Sequence, residues 1–155
     1  MLSALVLIPF LAGLAALGLG ADGPRRALLV LAALGHLALT LACLVTPPAA
    51  AFGGLLHQDA PGRLFLTVTS VLFAAAALYA VGYLRGEDKG ERRDFVAGSV
   101  FRNAPERIFT GCLLFFLTAM TVVASTRHFG LLWVAVEATT LASAPLIHFH
   151  RHRPS

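Results

Sequence analysis

The segment ALLVLAALGHLALTLACLV, at positions 27–45, contains no charged side chain. A helix needs about 20 mainly apolar residues to cross the ~30 Å hydrocarbon core of a bilayer. The rest of the chain shares this character, since 57% of its 155 residues are hydrophobic and only 13% are charged. An ordinary globular domain is about a quarter charged. The composition excludes a water-soluble domain, and the segment indicates a membrane-spanning helix.

Four further apolar runs have a similar length, and Gly- or Pro-containing polar stretches separate several of the runs. The sequence therefore predicts an all-α fold, a polytopic membrane helix bundle with about five transmembrane helices and a single membrane domain over 1–155. The first run follows Met1 without a positively charged segment, so we interpret it as a retained helix and not as a cleaved signal peptide. The predicted spans are 2–20, 27–45, 64–84, 108–125 and 129–149.

The basic residues predict how the helices are oriented. The polar segment 85–107 contains six bases and five acids, and such mixed signs are typical of a solvated loop. With Arg25, Arg26 and the basic tail, this segment places ten of the 12 Lys and Arg residues on one side of the membrane. Loops left in the cytoplasm carry this excess. We therefore expect the amino terminus outside and the carboxyl terminus in the cytoplasm. The net charge of +4 is explained by the basic residues that set this orientation, so we do not expect a nucleic-acid partner.

Glu137 is the only acidic residue inside any predicted span. An acidic group at the centre of a membrane helix costs about 2.5 to 3.5 kcal/mol even on modest insertion scales, and such groups usually serve ions or protons. The sequence predicts that Glu137 transfers a proton. The alternative is a structural carboxyl that hydrogen-bonds Thr139, Thr140, Ser143 or a neighbouring helix.

His36 is the other titratable group of interest, in the middle of the second predicted span. It is a second candidate for proton transfer, although a histidine that only hydrogen-bonds within a helix bundle is common. A third interpretation is a small haem-bearing cytochrome in which His36 and another histidine bind the iron. His148, His150 and His152 alternate near the carboxyl end, but the neighbouring arginines disfavour a bound cation.

No catalytic motif accompanies these residues. The chain contains no Gly-rich phosphate loop, no CxxC pair and no plausible nucleophile triad. Cys43 and Cys112 both fall in apolar runs, which predicts buried packing thiols. We therefore expect no catalytic residue, no metal and no cofactor in this chain, and we do not predict an enzyme that acts alone.

Three segments resemble a known family of membrane proteins. The EATTLASA segment that begins at Glu137 resembles the antiporter-like subunits of respiratory complex I and of group 4 nickel-iron hydrogenases, and it is most similar to the antiporter-like membrane protein of hydrogenase-4. HQDAPGRLFL (57–66) resembles the acidic loop before the third helix of that family, and LYAVGYLRGE (78–87) resembles the end of that helix. The resemblance covers about 56–155, while the first two spans match only in hydrophobic character.

The resemblance implies a proton-translocating subunit of a bacterial inner-membrane respiratory assembly. Glu137 would be the proton-carrying glutamate, and the redox centres would belong to other membrane subunits and a peripheral arm with iron–sulfur or nickel-iron centres. The family has many more helices than five and an intramembrane lysine, which this chain lacks. Ala60 also follows Asp59 where the family commonly has glycine. We therefore expect an amino-terminal part, a split gene product or a degenerate remnant of such a subunit.

The rival interpretation is a non-catalytic membrane scaffold or anchor, in which the helices only pack and the Glu137 carboxyl is structural. Replacement of Glu137 by Gln separates the two, because a proton carrier loses coupling whereas a structural group loses assembly. The sequence leaves open the electron donor and acceptor, and whether the ion is H⁺ or Na⁺.

Overall fold

The computed structural model describes residues 1–86, 92–93, 100–101 and 106–147. These residues form five α-helices: α1 (Leu2–Gly18), α2 (Asp22–Val45), α3 (Ala60–Gly86), α4 (Glu106–Ser125) and α5 (Phe129–Ile147). A single 3₁₀ turn covers Phe52–Gly54, and β1 (Arg92–Arg93) pairs antiparallel with β2 (Val100–Phe101). The predicted all-α membrane bundle is confirmed.

Helix length separates α1 from the rest. The helices α2, α3, α4 and α5 are long and apolar enough to cross a membrane. α1 has 17 residues, which corresponds to a length of about 25 Å at 1.5 Å per residue, at the lower end of the range for a span. Its membrane crossing stays a prediction. Part of the predicted loop 85–107 lies outside the described residues, namely 87–91, 94–99 and 102–105. The histidine-rich tail 148–155 also lies outside them.

Three helices begin earlier than the sequence predicted, α4 by only two residues. α2 and α3 begin five and four residues early (22 against 27 and 60 against 64), because their first turns tolerate residues that interrupt helices elsewhere. α2 begins at Asp22, so Gly23 and Pro24 lie in its first turn and do not form the connection. A proline is tolerated there because first-turn N–H groups have no helical acceptor. α3 begins at Ala60, where Asp59 accepts a 2.8 Å hydrogen bond from the Gly62 N–H in the manner of an N-cap.

α4 is the central helix, because it contacts each of the other four; α2 also pairs with α1 and α3. Glycines allow α1 and α4 to approach closely. A Cβ atom on Gly13 would lie 2.7 Å from the Phe115 ring, and one on Gly111 would lie 2.8 Å from Leu17 Cδ2. Small residues at helix contacts are typical of membrane bundles.

The main core lies between α1, α2, α3 and α4 and is wholly apolar. Its buried members are Ala12, Ala16, Leu29, Ala32, Ala33, Phe73, Ala77, Ala80, Leu114 and Leu117. A second buried cluster, formed by Leu2, Leu5, Cys43, Leu56 and Leu66, lies nearer the other end of the bundle.

An ion pair holds three helix ends together where α2 and α4 begin and α3 finishes. Arg26 donates to both Glu106 carboxylate oxygens, at 2.7 and 2.8 Å, and to the Leu84 carbonyl at 2.8 Å. Arg25 is 3% exposed and donates to Asp22 and to the Leu19 carbonyl beyond the end of α1. Two arginines that the sequence suggested as topology signals therefore also have structural partners.

The connection between α2 and α3, residues 46–59, folds across the opposite end of the bundle, and we call it the strap. Gly53 and Gly54 have φ values of 65° and 90°, which glycine adopts without a Cβ clash. Leu56 is 3% exposed and forms isolated bridges with Ala51 and Thr126. The next residue, His57, donates its backbone N–H to the Ser125 carbonyl at 2.6 Å. The strap is therefore fixed to the end of α4.

Candidate functional site

Glu137 lies on the surface of the bundle, on α5. It comes eight residues after Phe129, the first residue of α5, which places it about 12 Å along that helix. α5 packs chiefly against α4 and buries Ala135 and Ala142. The face that carries Glu137 is therefore not covered by the described helices.

The hydroxyl groups close to Glu137 in the sequence do not bind its carboxyl group. Thr139 and Thr140 both donate to the Val136 carbonyl, at 2.6 and 3.4 Å, and Ser143 donates to the Thr140 carbonyl at 2.8 Å. Among the described residues, no hydrogen bond or ion pair involves the Glu137 side chain. The structural alternative therefore has no support in these three hydroxyls, and its other form, a hydrogen bond from Glu137 to a neighbouring helix, stays a prediction.

His36 is the centre of a buried polar cluster built from three helices, and it is 1% exposed. Its Nε2 atom lies 3.0 Å from Thr121 Oγ1 on α4, and its Nδ1 atom lies 2.9 Å from Ser70 Oγ on α3. Ser70 Oγ lies 3.0 Å from Thr40 Oγ1, one helical turn after His36 on α2. Both ring nitrogens thus have partners, and an axial bond to a haem iron would have to displace one of them.

Two hydrogen bonds from threonine hydroxyls to backbone carbonyls of their own helices complete this cluster. Thr40 Oγ1 lies 2.8 Å from the His36 carbonyl, and Thr121 Oγ1 lies 2.8 Å from the Leu117 carbonyl. Such bonds to the carbonyl four residues earlier are the usual way for a threonine to satisfy its hydroxyl inside a helix. The three hydroxyl-bearing residues are each at most 2% exposed. We call His36, Thr40, Ser70 and Thr121 the His36 cluster.

Polar groups continue from the His36 cluster toward the strap. Ser125 follows Thr121 by one turn of α4 and is 1% exposed. Its hydroxyl lies 3.3 Å from Gln58 Nε2, and Gln58 is 6% exposed with an Oε1 atom that has no partner among the described groups. A buried amide oxygen without a partner is costly unless water reaches it. Gln58 Oε1 is therefore a buried acceptor that the described side chains leave unpaired.

Toward the other end of α4, the next hydroxyl is that of Thr118, which is half-buried and donates to the Leu114 carbonyl of its own helix at 3.0 Å. Leu114 and Leu117 are both 0% exposed and belong to the main core. Beyond them lies Thr110, also 0% exposed, whose hydroxyl has no described partner. Thr110 and Thr121 are eleven residues apart in α4, or about 16 Å. The apolar core separates the two.

The structure does not bring Glu137 and His36 together. His36 lies among α2, α3 and α4, whereas Glu137 lies on the uncovered side of α5. The sequence identified both residues but missed Ser70, Thr121 and Gln58. A detectable signal was present, because Ser70 and Thr121 are polar residues inside apolar runs. Only the packing shows that they meet at one histidine.

The remaining residues that the sequence singled out are the two cysteines and the histidines near the carboxyl end. Cys43 is buried, and Cys112 is intermediate in exposure; both are free thiols. Within residues 1–86, 92–93, 100–101 and 106–147, no group of three or more His, Cys, Asp and Glu side chains could hold a metal ion. His148, His150 and His152 lie outside these residues. Comparison of the chain with protein-family models, curated proteins and solved structures gives no match.

Proposed function

We propose that this chain is a proton-translocating membrane subunit, or the amino-terminal part of one, in a complex I-like or hydrogenase-4-like assembly of a bacterial inner membrane. The observation that carries the proposal is Glu137, a carboxyl group inside an apolar helix that has no partner among the described residues. The segment that follows it also resembles the proton-carrying helix of those assemblies.

The position of Glu137 needs a covering partner. A carboxylate exposed to lipid at this depth carries a penalty of about 2.5 to 3.5 kcal/mol on insertion scales. A neighbouring helix or a water-lined interface removes most of this penalty, because it supplies hydrogen bonds to the carboxyl group. The uncovered face of α5 therefore fits a helix from the rest of the assembly, and the proton would move along that interface.

Glu137 is one of the two residues that a proton-transfer pair requires. In the resembled family the glutamate works with a lysine on a later helix, so that protonation of one biases the other. Lys89 is the only lysine of this chain, and it lies between the predicted spans. The proposal therefore requires that another segment or subunit supplies the lysine that works with Glu137. The electron-transfer reaction belongs to partner subunits, and this chain supplies the proton site.

The test is Glu137→Gln in the intact assembly within inverted membrane vesicles. Proton translocation, followed with a pH-sensitive dye, should fall to background, while the subunits of the complex remain in normal amounts. Glu137→Asp keeps a carboxyl group and should retain part of the translocation. Thr140→Val is the matched control, because it removes an exposed hydroxyl one turn away that bonds only to the backbone.

Two outcomes would contradict the proposal. Unchanged proton translocation in Glu137→Gln would show that this carboxyl is not on the proton path. Loss of assembly without a selective loss of coupling would favour the rival function, a non-catalytic scaffold or degenerate remnant. Gentle extraction of the tagged chain from native membranes, followed by mass spectrometry, provides an independent check, since the proposal requires co-purification with iron–sulfur or nickel-iron subunits.

A further inference from the structure

We propose that His36 is a second proton site, a relay that exchanges protons with water only through the strap end of the bundle, by way of Gln58, Ser125 and Thr121. Use of this relay in translocation rests on the proposed function. Its existence does not, because the relay lies in the interior of α2, α3 and α4 and shares no contact with Glu137.

The neutral His36 cluster has fewer hydrogen-bonding protons than contacts. The cluster makes five contacts, from His36 to Ser70 and Thr121, from Ser70 to Thr40, and from the two threonines to carbonyls of their own helices. Each hydroxyl and a neutral imidazole supply one proton apiece. The neutral cluster therefore has one contact without a proton.

A protonated ring satisfies every contact at once. With protons on both nitrogens, Nε2 donates to Thr121, which donates to the Leu117 carbonyl. Nδ1 donates to Ser70, which donates to Thr40, and Thr40 donates to the His36 carbonyl. All donors then point away from the ring. The cluster therefore accepts an imidazolium without moving a heavy atom.

The two neutral tautomers fit the same positions by rotation of hydroxyl groups. With the proton on Nδ1, Thr121 turns its hydroxyl toward Nε2 and gives up its bond to the Leu117 carbonyl. With the proton on Nε2, Ser70 turns its hydroxyl toward Nδ1 and no longer donates to Thr40. Each change costs one hydroxyl contact. The ring therefore holds its proton on either nitrogen, and on the proposed route it exchanges that proton through Nε2, the nitrogen that faces Thr121.

The charged and titratable groups around the cluster do not hold a permanent imidazolium. The partners that face the ring from α3 and α4 are the hydroxyls of Ser70 and Thr121, and neither is ionisable at neutral pH. On α2 the titratable neighbour is Cys43, and on α3 the nearest charged side chain toward the strap is Arg63, seven residues before Ser70. α1 has no ionisable side chain in its helix. No carboxylate faces the ring from these helices, so the charged state is a transient one.

The surrounding side chains decide from which end the proton arrives. Toward the strap, Ser125 lies one turn beyond Thr121, and residues one turn apart have Cβ atoms about 5 to 6 Å apart, a gap that the proposed route crosses through one water molecule. Ser125 in turn contacts Gln58, whose Oε1 atom has no partner among the described groups and is the acceptor that the route offers to water. Toward the other end, Thr118 donates to the Leu114 carbonyl of its own helix, and the buried side chains of Leu114 and Leu117 follow. The described polar groups that continue from the cluster toward bulk water therefore lie on the strap side.

The experiment measures exchange of the His36 ring N–H proton with water. The full chain, labelled with ¹⁵N-histidine, is placed in lipid nanodiscs, and the His36 signals are assigned by their loss in His36→Asn. Gln58→Leu and Ser125→Ala should each slow this exchange by about tenfold or more, since the proton then requires a rarer opening of the bundle. Thr121→Ser keeps the hydroxyl and should exchange like the wild type.

Thr110→Val is the matched control, because Thr110 is an equally buried hydroxyl on α4 beyond the apolar core. It should leave the exchange rate unchanged. Slowing by Thr110→Val, or unchanged exchange in both Gln58→Leu and Ser125→Ala, would overturn the proposed route. A ring locked in one tautomer without measurable exchange would overturn the relay itself. These results are independent of Glu137→Gln, so failure of the relay and failure of the proposed function are distinguishable.

Discussion

Replacement of Gly62 by alanine tests a close approach of α3 to the backbone of α4. A Cβ atom at this position would lie 2.6 Å from the Ala124 carbonyl oxygen and 2.8 Å from Asp59 Oδ1. The first of these atoms belongs to the backbone of α4, so a change of rotamer cannot relieve the clash. Overpacking of this kind costs about 1 to 3 kcal/mol, and the helix preference of alanine over glycine offsets at most about 1 kcal/mol. With the full offset, we expect a net loss of up to about 2 kcal/mol.

Gly82→Ala in the same helix is the matched control, because a Cβ there meets nothing within 4 Å. It should leave stability unchanged or raise it slightly. The assay is reversible unfolding in mixed micelles, followed by the fluorescence of Trp133, the only tryptophan. The reasoning is refuted if both variants unfold at the same denaturant concentration. The contact also concerns function, since Gly62 fixes α3 beside the turn of α4 that ends at Ser125.

Two further predictions concern the ends of the bundle. Arg26→Ala or Glu106→Ala should each destabilise the chain by about 3 kcal/mol, because removal of one partner leaves the other largely buried charge unpaired. The double variant should lose less than the sum of the two, and an additive loss in a double-mutant cycle would show that the pair is not coupled. In a background without Cys43 and Cys112, Asp59→Cys should react with a membrane-impermeant maleimide in intact cells, whereas Arg107→Cys should react only after permeabilisation. The reverse pattern would mean that the predicted orientation is wrong.

The helical architecture was predictable because a bilayer imposes a simple rule on sequence. Each span must be about 20 apolar residues long, and its backbone must satisfy its own hydrogen bonds as a helix. Residues 27–45 meet this rule without reference to any other part of the chain. The helix ends were less predictable, because they depend on local hydrogen bonds. Asp59 begins α3 through its bond to Gly62, and Pro24 is accepted in the first turn of α2.

The candidate site was predictable only in part. Glu137 and His36 were recognisable from the sequence, because placing an ionisable side chain in a membrane helix costs free energy whether it faces lipid or the bundle interior. Which direction each one faces depends on helix rotation and packing. Hydrophobic periodicity gives little guidance in a membrane chain, since lipid-facing and core-facing positions are both apolar.

The sequence by itself determined that this protein is a helical membrane bundle, and it identified Glu137 and His36 as the two candidates for proton transfer. Both conclusions follow from the free energy of transfer of individual side chains into a hydrocarbon environment, which is a local property. The tertiary structure alone decided that His36 meets Ser70 and Thr121 in the interior, while Glu137 lies on an uncovered face. The physical reason is that hydrogen bonds between helices join residues up to 85 positions apart in the chain, and only the packing of α2, α3 and α4 brings such residues within 3 Å of one another.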